Sequence, residues 1–120
     1  MFGERLTQSV TTDGAGAATA YFAVANRPIR AIRYVADGSA AYDNTVDFTF
    51  SGETTGINVL TIANVAASAT YYPVVAANKA ADGSASTLTE IAPVLVSERL
   101  KLVLAQGGAS KVGVFHVILG

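Results

Sequence analysis

The sequence predicts an all-β fold, a single-domain antiparallel β-sandwich of eight or nine short strands. Three observations predict it. Turn signals recur every 8 to 15 residues, among them Asp13-Gly14-Ala15-Gly16, Asn26-Arg27-Pro28, Asp37-Gly38-Ser39, Ser51 to Gly56 and Gln106-Gly107-Gly108. The runs between them are rich in Val, Ile, Thr, Tyr and Phe, which suit a pleated, half-buried surface. Several of those runs alternate apolar and polar residues with period 2, and no long window carries a helical stripe.

The predicted strands are 5–12, 18–25, 29–36, 44–51, 57–62, 70–76, 88–96, 98–105 and 111–119. In the fourth, Val46, Phe48 and Phe50 share one face, with Asp47, Thr49 and Ser51 on the other. In the eighth, Leu100, Leu102 and Leu104 oppose Arg99, Lys101 and Val103. One apolar face marks a strand that covers a core and meets water behind it. The last strand differs: Val112, Val114, His116 and Ile118 line one face, and Gly113, Phe115, Val117 and Leu119 the other. Such a strand is central in its sheet or lies at a subunit interface. In the third, strict alternation sends Arg30 and Arg33 to opposite faces.

Gly14-Ala15-Gly16 is a hairpin turn, and Gln106 to Ser110 is a hairpin between the last two strands. Residues 64–69 have the composition of one helical turn capped by Asn64. Lys79 to Ser86 is an exposed loop of Ala, Gly and Ser. The strand count fits a jelly roll and other antiparallel sandwiches alike. With no internal repeat or linker, residues 1–120 form one domain, with 1–5 as an N-terminal arm anchored by Phe2.

Charged residues make up 14% of the chain, against about 25% in an ordinary domain. The surface must therefore be built of the plentiful Ala, Thr, Ser and Gly, or be partly covered. Few charges also weaken the barrier to self-association. An assembled protein follows as the expectation. Net charge is −1, without the basic footprint that nucleic-acid binding needs. No signal-like or spanning segment is present, so no membrane is expected. Absence of cysteine excludes a disulfide framework and a thiolate nucleophile.

Catalytic signatures fall short. The one histidine, His116, sits mid-strand among Val114, Val117 and Ile118, with no G-x-S-x-G elbow elsewhere. Gly14 to Ala18 lacks the third glycine and the following helix of a dinucleotide fingerprint. Asp37, Asp43 and Asp47 could offer oxygens to Ca²⁺, yet they lack the regular order of a calcium loop. They read as solvated acids, with Asp47 facing solvent or Arg33. No enzyme, cofactor or metal is expected.

Taken in order, Arg5 to Thr12, the Gly-Ala turn, Val46 to Gly56, Asn64 to Pro73, Glu98 to Gly108 and Lys111 to Leu119 resemble a group of small virion proteins of tailed bacteriophages, encoded near the major capsid protein. The resemblance spans nearly the whole chain and carries no catalytic motif. It implies a capsid decoration, or cement, protein: β-rich, homo-oligomeric with a trimer favoured, made in the host bacterial cytoplasm and placed on the virion surface against the major capsid protein. A neck, tail or baseplate component is the alternative, and a carbohydrate-binding sandwich a more distant one, since no Trp is present to make a sugar platform. Within the decoration reading the expected interface residues are Phe2, Tyr71, Tyr72, Phe115, His116 and Val117.

Overall fold

The computed structural model describes residues 3–76, 90–94 and 97–120. Phe2, the Lys79 to Ser86 segment and both ends of the predicted 88–96 strand lie outside them.

Ten strands are present among the described residues: β1 (Glu4–Thr11), β2 (Ala18–Ala25), β3 (Ile29–Ala36), β4 (Asp47–Gly52), β5 (Asn58–Ile62), β6 (Ala69–Tyr71), β7 (Val75–Ala76), β8 (Glu90–Ile91), β9 (Glu98–Ala105) and β10 (Val112–Leu119). Eight build two four-stranded antiparallel sheets, ordered β1-β10-β3-β6 and β2-β9-β4-β5. Strands β7 and β8 pair as a separate ribbon. Among those eight, taken in chain order, every step except β4 to β5 passes from one four-stranded sheet to the other, which is the strand order of a jelly roll.

The core forms where the inward faces meet. Phe48, Phe50, Leu100, Leu102 and Leu104 come from one sheet; Ile32, Phe115, Val117 and Leu119 come from the other. All are 0–1% exposed. At the centre Tyr34, Tyr42, Phe48 and Phe115 pack in edge-on and stacked pairs, their centroids 4.9–6.3 Å apart. These offsets match the ring quadrupole and add to the apolar burial.

Several expectations are corrected. The two glycine-rich turns are arches between sheets: β1 and β2 belong to different sheets, and so do β9 and β10. Two facing sheets can share the aromatic core only if the chain crosses between them. Residues 64–69 form no helical turn. Asn64 instead takes a left-handed φ of 55°, its N–H donates to Asp47 Oδ1 at 3.1 Å, and Val65 drops into the core. The 70–76 strand divides at Tyr72-Pro73-Val74 into β6 and β7. Proline lacks an N–H for the ladder there. Strand β1 begins at Glu4, which pairs with Leu119, so residues 4 and 5 belong to the sheet and not to an arm.

Candidate interaction surface

Strand β10 is apolar on both faces. It lies between β1 and β3, a central strand. Phe115 and Val117 point inward and are 0% exposed. Their predicted interface role is corrected: the chain's own core covers them, and no partner can reach them. His116 points the other way and is half-buried. Its Nδ1 and the Thr7 hydroxyl share a hydrogen bond of 3.1 Å.

His116 belongs to a row of four side chains in register, Thr7–His116–Arg33–Thr70, one from each strand of the sheet. Arg33 donates from Nη1 to Thr70 Oγ1 at 3.2 Å. Flanking rows carry Ser9, Val114 and Val35 on one side and Arg5, Ile118 and Ala31 on the other. The β3–β10 register steps at Ile118/Leu119 and leaves Arg30 without a cross-strand partner. That bulge breaks the alternation that set Arg30 and Arg33 on opposite faces. Arg33 lies on this sheet and Asp47 on the other, so the expected pairing between them does not form.

Tyr71 and Tyr72 stand where β6 ends. Tyr71 pairs with Ile32 and is half-buried; Tyr72 has left the ladder and is 73% exposed. Tyr72 has company. The described residues include eight exposed large hydrophobic side chains, and six of them gather at one end of the sandwich: Val24, Ile57, Tyr72, Val74, Val94 and Ile118. The topology brings them there. Val24 closes β2, Ile57 closes the β4–β5 hairpin through its carbonyl to Gly52 N–H at 2.9 Å, and Val94 bridges to Pro28. Tyr72 and Val74 join β6 to the ribbon, while Ile118 ends the outer face of β10. The sequence signalled only Tyr72 among these, since residues far apart in the chain meet only after the sheets form.

The opposite end is polar. Asp13 Oδ1 accepts the N–H groups of Ala15 and Ala17 at 2.8 and 3.0 Å. Those bonds, Ala17 first, hold its carboxyl below the usual range. Asp37 Oδ2 accepts from the N–H groups of Ser39 and Ala40 and is lowered likewise. Asp43 lies against Gly108, and Asp47 holds Asn64. Asp13, Asp37 and Asp47 are thus each occupied by backbone N–H groups of a loop or turn. No group of three or more potential metal-binding side chains occurs among the described residues.

Near the apolar end, Glu98 was not singled out by its sequence, yet it is only 5% exposed. Its carboxylate accepts from Thr54 N–H, Thr55 N–H and Thr55 Oγ1 at 2.9–3.0 Å. These bonds, led by that from the Thr55 backbone, lower its pKa against the opposing effect of burial. Beside it Arg99 sits 4.2 Å over the Tyr21 ring and pairs through two nitrogens with Glu53. The pair is surface-exposed and orders the hairpin more than it stabilises the chain.

No protein-family model and no curated protein matches the chain. A solved structure described as the crystal structure of FLHE is similar, with a TM-score of 0.48 and 9% identity, covering 98% of this chain and 96% of that one. A likeness this distant speaks to neither function nor partner.

Proposed function

We propose that the chain is a structural protein of a tailed-bacteriophage virion, a decoration protein that docks on the head lattice. The observation that carries this reading is the gathering of exposed Val, Ile and Tyr side chains at one end of a sandwich whose other end is closed by acids. Exposed aliphatic side chains gathered with a tyrosine at one end are the usual character of a protein-binding surface. The resemblance to small virion proteins supplies the lattice as partner.

The mechanism is linkage. A protein that binds only the expanded lattice stabilises it by RT ln(1 + [L]/Kd) at each site. Repetition by symmetry adds these weak contacts through avidity.

Cosedimentation of purified chain with expanded heads that lack it tests the reading. Saturable binding is expected, lost in a Tyr72→Ser, Val74→Ser double variant whose thermal midpoint is unchanged. Failure to bind heads, or gold labelling confined to the tail of intact particles, overturns it.

A further inference from the structure

The outer face of the β1-β10-β3-β6 sheet carries two arginines, Arg33 in the row of His116 and Arg5 in the adjoining row. Its outward residues on the four strands include no acid; Glu4 sits at a corner on the opposite parity. Val35 and Ile118 on this face are 37% and 40% exposed. A sheet face of Val, Ile, Thr and Ser that carries two arginines and no acid is complementary to a surface that offers fixed carboxylates among small side chains. The polar end of this same molecule is such a surface. Asp13, Asp37 and Asp43 stand there with Ala15, Gly14, Gly38 and Ala109, and Lys111 is the one described basic residue among those loops. The small side chains permit close approach, and the turn bonds hold Asp13 and Asp37 in place.

We propose that a second copy of this chain docks its acidic loop end on this sheet face, centred on the Thr7–His116–Arg33–Thr70 row. The contact is heterologous: one copy gives its face, the next its loop end. Face and end lie on adjoining sides of the sandwich, so repetition turns a corner and closes a ring where the angle permits. Ile118 is shared with this face, and the rest of the apolar end, Val24, Ile57, Tyr72, Val74 and Val94, stays free for the lattice. The contact rests on the assembled-protein reading above, but it forms between free chains and needs no head, so the two can fail separately.

The experiment is sedimentation of the full chain alone, at low and high salt. The wild type associates at low salt and dissociates as salt screens the pairs. Arg33→Glu weakens association roughly tenfold or more, because like charges then face each other. Asp13→Asn with Asp37→Asn does the same while keeping the turn oxygens. Thr61→Glu, on the outer face of the other sheet, leaves association unchanged. Mixing the Arg33→Glu chain with the double Asn chain is decisive: each retains one good surface, so they pair as a heterodimer although neither self-associates. A monomeric wild type, association indifferent to Arg33→Glu, or a mixture that stays monomeric overturns the proposal.

Discussion

Gly113 leaves room for the ring of Tyr42. A β-carbon built on Gly113 would lie 2.6 Å from Tyr42 Cε2 and 2.8 Å from Tyr34 Cε1, inside contact distance. A glycine in a strand interior weakens the strand unless something approaches closely. Here two aromatic rings do. Both are core members, and Tyr42 donates its hydroxyl proton to the Val10 carbonyl at 2.5 Å, so neither ring is free to withdraw. Gly113→Ala is expected to destabilise the fold by about 1–3 kcal/mol, the usual cost of overpacking. Chemical denaturation would check it, the midpoint falling with an unchanged slope.

Adjacent residues of β10 separate core from surface. Phe115→Ala empties a fully buried site at the aromatic cluster and should cost about 3–5 kcal/mol. His116→Ala removes one hydrogen bond to Thr7 on the outer face and should cost about 1 kcal/mol or less. Thermal unfolding of both variants tells them apart. Similar losses from the two would contradict the inward and outward assignment.

The sandwich was legible because its period-2 runs survive folding: Phe48 and Phe50, Leu100 to Leu104, and both sides of β10 lie as alternation places them. Which strands share a sheet was not legible. Gly14-Ala15-Gly16 and Gln106-Gly107-Gly108 have turn chemistry that serves a hairpin and an arch equally, and the choice depends on pairings between distant strands. Gly16 shows the outcome, since Gly107 N–H donates to its carbonyl at 2.9 Å and ties two arches from opposite ends of the chain. Alternation also fails at bulges. Arg30 is one case; at β2 the register against β9 steps between Tyr21 and Val24, and Phe22 goes into the core while Val24 stays 52% exposed. Single members of the apolar and acidic ends, Tyr72 and the turn aspartates, stand out in the sequence, but their gathering at opposite ends is a product of topology.

Glu98 makes stability depend on pH with a definite sign. Its carboxyl titrates below the ordinary glutamate range in the folded chain, because the hydrogen bonds from Thr55 and Thr54 favour the ionised form. Unfolding returns it to the ordinary value and takes up a proton as pH falls. Its contribution is therefore complete above the ordinary glutamate range and is lost as pH drops through the lowered value. Asp13, Asp37 and Glu53 shift in the same direction. The thermal midpoint should be level near neutrality and decline in acid. Glu98→Gln should lower it at pH 7 and flatten part of the acid decline. An unchanged acid slope in that variant would show that the carboxylate's bonds do not persist in solution.

Gln106 offers the opposite sign. It holds φ at 58°, left-handed backbone, where the arch from β9 to β10 begins, and its side chain is exposed. A non-glycine residue gives up roughly 1–2 kcal/mol in that region. Glycine removes the steric cost but adds roughly 0.5–1 kcal/mol of unfolded-state entropy. The steric cost is the larger, so Gln106→Gly should stabilise the fold by about 0.5–1 kcal/mol. At about 4 °C per kcal/mol for a domain of this size, the midpoint should rise by roughly 2–4 °C. Gln106→Val should lower it, because a β-branched side chain tolerates positive φ least. Both variants keep the Gln106 carbonyl that accepts from Thr45 Oγ1 at 2.9 Å, so the pair isolates the backbone term.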